Sequence, residues 1–153
     1  MGLESTIVIR RKAEDLWRFL ANPLNLPQWD KGVAAVEVNQ TTPLGVGLEF
    51  TTVGYPGSGP DRGRMTYRVT RADLEARDCR AELISRAGNA RFMRAAAWSQ
   101  RVEDAPEGSR VTFLTEFRVR RSYLWLALVL CVIGRSALRK DLVNLKDVLE
   151  KDA

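Results

Sequence analysis

The chain contains no histidine, which excludes most familiar arrangements for acid–base, nucleophilic and metal chemistry. Its two cysteines, Cys79 and Cys131, have neither metal-ligand spacing nor a candidate base nearby, so a Cys–His nucleophile is excluded as well. The carboxylates fall mostly on outward positions of predicted strands and form no evident pair. We therefore predict no metal site and no cofactor, and the sequence alone establishes no catalytic residue.

Arg94 has the most unusual surroundings of any charged residue. It alternates with Ala96 and Trp98 on the strand face that should be buried. A guanidinium cannot stay unpaired among apolar side chains without a large desolvation cost. Two interpretations remain open: a bulge or register shift turns Arg94 to solvent, or Arg94 meets an anionic group of a ligand. In the second case Tyr67 and Gln100 add hydrogen bonds, and Arg94 and Tyr67 are the candidate catalytic residues.

Short strands followed by one long helix must position these side chains. A β-branched run predicts the first strand at 6–10, and helical spacing predicts a helix over 13–21 and a short helix or turn over 24–30. Alternating apolar residues between turn-rich separators predict six further strands, at 33–39, 47–53, 63–71, 79–86, 91–102 and 110–120. The short turns between them predict antiparallel neighbours.

The long C-terminal helix begins with an uncharged stretch from Tyr123 to Gly134. This stretch is shorter than the roughly 20 residues that a membrane span needs, so we expect the helix not to cross a bilayer. Residues spaced alternately by four and three predict a single seam facing the sheet. The seam consists of Leu124, Leu128, Cys131, Arg135, Leu138, Leu142, Leu145 and Leu149.

Length and composition favour one soluble globular domain over residues 1–153, with 45% hydrophobic and 28% charged residues. The net charge of +5 comes without a basic block or a known motif, so no nucleic-acid partner is predicted. The apolar run Ile7–Ile9 is too short for a signal peptide, which favours the cytoplasm.

Three segments carry a resemblance to a known superfamily. They read Ile-Arg-Arg-Lys-Ala-Glu-Asp-Leu-Trp over 9–17, Leu-Ala-Asn-Pro-Leu-Asn-Leu-Pro-Gln-Trp over 20–29 and Gly-Val-Gly-Leu-Glu-Phe over 45–50. Together with the closing helix, they resemble the SRPBCC superfamily of polyketide cyclase/dehydrase and lipid-transport proteins, START domains and the major birch pollen allergen. The resemblance implies an α+β helix-grip fold: a curved antiparallel sheet of about seven strands around a long C-terminal helix, with two short helices after the first strand.

This resemblance also implies binding, with transport as an extension of it, of a hydrophobic or amphipathic small molecule in a central cavity between the sheet and the C-terminal helix. The predicted ligand-binding residues lie on the concave strand faces and near helix ends. They are Trp29, Phe50, Met65, Tyr67, Leu83, Arg94, Trp98, Gln100, Phe113, Thr115, Phe117, Trp125, Leu128 and Cys131. One alternative is an aromatase/cyclase-like enzyme that acts on a polyketide, and another is a peripheral membrane or protein-interaction module.

Arginines should also gather around the start of the long helix, where the fold brings several strand ends together. They would form a rim around the apolar tip Tyr123–Trp125. Such a rim suits an anionic membrane or an acidic lipophilic ligand, whereas the simpler interpretation is that the arginines keep the loops soluble and the tip packs inward. The rim consists of Arg62, Arg64, Arg86, Arg91, Arg118, Arg120 and Arg121.

Overall fold

A computed structural model describes residues 1–38, 45–55 and 63–151. Within these ranges the strands are β1 (Gly2–Ile9), β2 (Val33–Val38), β3 (Glu49–Gly54), β4 (Arg64–Asp73), β5 (Asp78–Ala87), β6 (Met93–Ala105) and β7 (Gly108–Val119). The helices are α1 (Ala13–Leu20), α2 (Leu26–Trp29) and α3 (Leu124–Lys151). Three 3₁₀ turns, at Pro23–Asn25, Gly88–Ala90 and Arg121–Tyr123, precede α2, β6 and α3 respectively.

The strands form one antiparallel sheet in the order β1-β7-β6-β5-β4-β3-β2. The sheet curls into a half-barrel with α3 on its concave side, which confirms the predicted helix-grip fold. Its first strand is longer than predicted, because pairing with β7 begins at Gly2 opposite Glu116 rather than at residue 6. The predicted helix over 24–30 is a 3₁₀ turn followed by the four residues of α2. Residue 39 of the predicted second strand and Arg62 of the predicted arginine rim lie outside the described residues.

Alternation along the strands separates a buried face from a charged one. Phe50, Val69 and Val111 are fully buried beneath α1 and α3. Ion pairs between neighbouring strands occupy the convex face; in one of them, Arg68 Nη2 lies 2.6 Å from Glu49 Oε1. Such exposed pairs contribute little to stability, so burial of the concave face is the main stabilising term.

Helix α3 packs differently in its two halves. In the second half Leu142, Leu145 and Leu149 are buried, as the predicted seam requires. In the first half the prediction is wrong, because small residues and not the seam leucines face the sheet. Ala127 is buried, and a Cβ atom at Gly134 would lie only 2.7 Å from Leu3 Cδ1.

The segment Arg121–Lys151 is the one helix within the described residues that is long and apolar enough to cross a membrane. This finding rests on length and composition only, and the core helix of a soluble protein can meet the same criteria.

Candidate functional site

A pocket of about 230 Å³ lies between the concave face of the sheet, α2 and the second half of α3. Most of its lining is apolar or aromatic, with a few polar groups, which is typical of small-molecule sites. The lining residues are Leu26, Trp29, Asp30, Val33, Thr52, Met65, Tyr67, Met93, Ala96, Ala97, Trp98, Phe113, Thr115, Leu138 and Asp141.

Aromatic rings form the walls of the pocket. The ring centroids of Trp29 and Phe113 are 5.2 Å apart, which ties α2 to β7. Tyr67 stacks on Phe50 at 5.8 Å, and Trp98 lies 6.5 Å from Tyr67, nearly edge-on. Such pairs limit the movement of the rings and stabilise beyond the area they bury. The walls are therefore largely preformed.

Tyr67 is buried, and its hydroxyl is one of the few polar groups in the pocket lining. Within the described residues its hydrogen-bond partner is the sulfur of Met65, at 3.6 Å, and a thioether is a weak acceptor. Burial first, and then the nearby charge of Asp30, raise the pKa of Tyr67 to about 12. The hydroxyl therefore stays protonated near neutral pH and can donate a hydrogen bond.

Asp30 and Asp141 place two carboxyl groups at one end of the pocket. Burial, with a further contribution from the charge of Asp141, raises the pKa of Asp30 to about 6, although a hydrogen bond from the Gly32 amide opposes the shift. Burial also raises the pKa of Asp141, and this shift is opposed by the hydrogen bond from the Lys31 amide and by the Lys31 charge. The two amide nitrogens lie 2.8 Å from Asp30 Oδ1 and 3.1 Å from Asp141 Oδ1, respectively.

The same two carboxyl groups also border a wider groove on the outer surface. That groove runs between the turn at Lys31–Gly32 and the segment Ser136–Asn144 of α3. Because Asp30 and Asp141 line both spaces, they lie where the inner pocket meets the outside. This end of the pocket is its candidate mouth.

Six of the residues predicted to bind ligand line the pocket together: Trp29, Met65, Tyr67, Trp98, Phe113 and Thr115. Trp29 comes from α2. The other five come from β4, β6 and β7, where strand alternation turns their side chains to the concave face.

Other predicted residues are buried or half-buried but do not line this pocket. Phe50 lies behind Tyr67 as part of the core. Gln100 is buried and its Nε2 donates to the Leu20 carbonyl oxygen at 3.2 Å, so it anchors the end of α1. Leu83 and Phe117 border a separate depression beside the first residues of β1.

Arg94 does not reach the pocket, because a bulge interrupts β6. The pairing of β6 with β7 shifts between Met93 and Ala95, and Arg94 is exposed at the shift. Met93 lines the pocket in its place. The uniform alternation assumed for this strand is therefore wrong at its start, and the solvent-facing interpretation of Arg94 is the one that the structure supports.

The predicted contacts from the first half of α3 are also absent from the pocket. Trp125 is 65% exposed and Leu128 is 71% exposed. Cys131 is half-buried, and its sulfur lies 3.1 Å from the sulfur of Met1. The cause is the rotation of this half of the helix, which turns Ala127 and Gly134 toward β1 instead.

Sequence reasoning missed the two carboxyl groups at the mouth. The hydrophobic pattern places Asp141 on the outer side of α3, although it lies four residues before the buried Leu145 and so near the inner edge of the helix. Asp30 directly follows the buried Trp29 at the end of α2. This position next to a predicted ligand-binding residue was the one sign in the sequence that Asp30 could lie at the pocket. Neither residue forms a recognisable motif.

The arrangement suits binding and proton transfer better than metal or nucleophile chemistry. No group of three or more His, Cys, Asp or Glu side chains within the described ranges is placed to hold a metal ion. Burial raises the pKa of the Cys79 thiol to about 12, so this thiol is not a nucleophile near neutral pH. Asp30, by contrast, can exchange a proton near pH 6, next to a hydroxyl that can donate a hydrogen bond.

A family model described as "Polyketide cyclase / dehydrase and lipid transport" matches residues 2–150. No curated protein sequence matches the chain.

Solved structures with the same fold cover the whole chain or nearly so. A protein from Thermus thermophilus is 15% identical, with a TM-score of 0.80 and coverage of 100% of both chains. The Zhui aromatase/cyclase from a Streptomyces species is 14% identical, with a TM-score of 0.75 and coverage of 99% of this chain and 94% of its own. A norcoclaurine synthase from Thalictrum flavum, solved with a transition-state analogue, is 19% identical, with a TM-score of 0.70 and coverage of 100% and 96%. At these identities the likeness establishes the fold alone.

Proposed function

Because the chain belongs to the polyketide cyclase/dehydrase and lipid-transport family, we propose that it binds a hydrophobic or amphipathic small molecule in the pocket between the sheet and α3. The observation that carries the proposal is the aromatic pocket itself, closed on several sides by Trp29, Tyr67, Trp98 and Phe113. Apolar walls that stay in contact with water contribute no stabilising free energy. Burying a ligand's apolar surface against them is favourable by roughly 25 cal/mol per Å².

The polar groups of the pocket favour a ligand whose polar end is uncharged or positively charged. The described lining residues include two carboxyl groups and the Tyr67 hydroxyl, but no lysine or arginine. The expectation of an acidic ligand rests on Arg94 and on the arginine rim, but the Arg94 side chain is exposed and none of the described arginines lines the pocket. Tyr67 can donate to a carbonyl or hydroxyl oxygen, and Asp30 can accept from a hydroxyl or an amine.

A blocked pocket tests the proposal. Ala96 lines the pocket, whereas its neighbour Ala95 is exposed on the opposite face of the same strand. Ala96→Phe should fill the pocket and abolish binding of a lipophilic fluorescent probe, while the matched Ala95→Phe should leave binding unchanged. The circular dichroism of both variants should match that of the native protein. Equal probe binding by Ala96→Phe and Ala95→Phe would show that the probe binds somewhere other than this pocket, which would contradict the proposal.

An aromatase/cyclase-like enzyme is the second candidate, and the pairing of Asp30 with Tyr67 favours it. A carboxylate with a pKa of about 6 is suited to act as a general base near neutral pH. Asp30 would remove a proton from a carbon next to a keto group, and Tyr67 would stabilise the enolate oxygen with a hydrogen bond. Arg94 has no part in this version of the hypothesis.

Turnover of a poly-β-keto substrate tests the enzyme hypothesis separately from binding. Asp30→Asn and Tyr67→Phe should each lower kcat by about a hundredfold or more, since general acid–base and oxyanion hydrogen-bond contributions begin at about that size. Binding of an unreactive lipophilic probe should change much less. Unchanged turnover in both variants would remove the enzyme hypothesis and leave the binding proposal intact.

The same proposal treats residues 1–153 as one domain that acts in the cytoplasm. Support comes from the family match over 2–150 and from a fold that soluble proteins adopt. Fluorescence microscopy of the tagged full chain would test the location.

A further inference from the structure

The first half of α3 exposes a continuous row of large apolar side chains. Their spacing of one, three or four residues places them on one side of the helix over about 14 Å. These side chains are between 40% and 76% exposed. We call this row the apolar strip: Leu124, Trp125, Leu128, Val129, Val132 and Ile133.

The apolar strip is not the core side of the helix. Ala127 and Gly134 already occupy the side that faces β1, so the strip points away from the sheet. Only 6% of the most apolar window in this helix is buried, whereas the core helix of a soluble protein is mostly buried. None of the described residues covers the strip. Apolar patches of this extent on soluble proteins usually mark an interaction surface.

The charges around the apolar strip indicate the chemistry of its partner. Between residues 117 and 140 the chain has six basic residues and no acidic one. Arg120 and Arg121 are exposed just before the strip, and Arg139 and Lys140 are exposed one to two turns beyond it. A second copy of this chain would bring the same positive charges together, which disfavours self-association. An anionic surface with an apolar interior complements both the charge and the strip.

We propose that the apolar strip docks on an anionic lipid bilayer, with the first half of α3 lying in the plane of the interface. Trp125, Leu128 and Val132 insert among the acyl chains, and the flanking arginines contact lipid phosphates. In this proposal the helix lies flat instead of crossing the bilayer, because charged residues follow its uncharged stretch, 122–134, from Arg135 onward.

Docking also places the pocket mouth close to the membrane. The groove outside Asp30 and Asp141 is lined by Ser136, Arg139 and Val143, which continue the outward side of the same helix. Exchange of a ligand between the bilayer and the pocket would follow from this arrangement, and only this last step rests on the proposed function.

Vesicle co-sedimentation tests the docking proposal on the full chain without added ligand. Binding is expected to vesicles of phosphatidylcholine mixed with phosphatidylserine, much less to phosphatidylcholine alone, and to weaken as salt rises above an ionic strength of about 0.15 M. The double variant Trp125→Ser/Val132→Ser should bind at least tenfold more weakly, because two inserted apolar side chains are lost. Arg120→Glu/Arg121→Glu should reduce the preference for phosphatidylserine. Leu74→Ser is the matched control, since Leu74 is 62% exposed in the turn between β4 and β5.

Two results would overturn docking on lipid. One is the absence of vesicle binding at low salt by a folded native protein. The other is a concentration-dependent dimer in analytical ultracentrifugation that Trp125→Ser/Val132→Ser abolishes, which would assign the strip to a second copy. Probe binding in the pocket should persist in the double variant, so failure of docking and failure of the proposed function remain distinguishable.

Discussion

At the scale of single residues, the functional character of the pocket depends on three polar side chains in an apolar setting. Tyr67 could be predicted from strand alternation, because β4 alternates regularly at that position. The meeting of Asp30 with Asp141 could not, because it depends on the contact between a short helix and a distant part of α3. For Arg94 the error is the opposite one: regular alternation places it in the pocket, but a single bulge in β6 turns its side chain to solvent.

Asp30 should make stability depend on pH. Its folded pKa of about 6 lies above the ordinary value of 3.8, so the folded protein binds the proton more tightly than the unfolded chain does. The resulting stability is present below about pH 4 and is lost as pH rises to about 6 and beyond. Asp30→Asn should therefore raise the free energy of unfolding at pH 8 by about 1–3 kcal/mol and flatten its decline between pH 4 and 6.

Urea denaturation across this pH range measures the effect. Asp147→Asn serves as the control, because it makes the same substitution at an exposed aspartate in the last turns of α3. An Asp30→Asn protein that keeps the native pH profile would show that the Asp30 carboxyl titrates normally.

The bulge in β6 predicts unequal effects for two neighbouring residues. Met93→Ala should weaken binding of a lipophilic probe about fivefold, because apolar contact with the ligand is lost. Arg94→Ala should leave binding within about twofold of the native protein, because its side chain is exposed. Probe titration of both variants checks the expectation. A loss of affinity greater than twofold in Arg94→Ala would indicate that the Arg94 guanidinium contacts the ligand after all.

At the scale of elements, strands were easier to predict than the packing of the helix. Turn residues and alternation located the strands within a few residues, because both signals are local. The orientation of α3 depends on how close it can approach β1, and that distance is set by Gly134 and Ala127 rather than by the leucines of the seam. Leucine is abundant on all sides of the first half, so the hydrophobic pattern alone did not indicate the buried side.

Close approach at Gly134 should make this position intolerant of large side chains. Gly134→Leu should destabilise the protein by about 1–3 kcal/mol through overpacking against Leu3. Ala137→Leu, at an exposed position one turn away, should have little effect. Thermal or urea denaturation measures both, and partial rescue of Gly134→Leu by Leu3→Ala would identify the contact. A fully stable Gly134→Leu protein would contradict the packing described for this half of α3.

At the scale of the whole molecule, the fold brings a preformed pocket and a basic, apolar helix face to neighbouring positions. The fold itself could be predicted from the order of elements and from the quoted segments. The function that the fold performs in this chain could not be predicted, because the same architecture is found in an aromatase/cyclase and in a norcoclaurine synthase. For this chain the aromatic pocket supports binding, and its mouth carboxyls favour a ligand with a neutral or cationic polar end.

Native mass spectrometry after incubation with matched neutral, cationic and anionic amphiphiles tests this central claim most directly. The account predicts one-to-one adducts with neutral and cationic amphiphiles, fewer with anionic ones, and loss of the adducts in Ala96→Phe but not in Ala95→Phe. The absence of one-to-one adducts from the native protein, or equal adducts in Ala96→Phe, would contradict it.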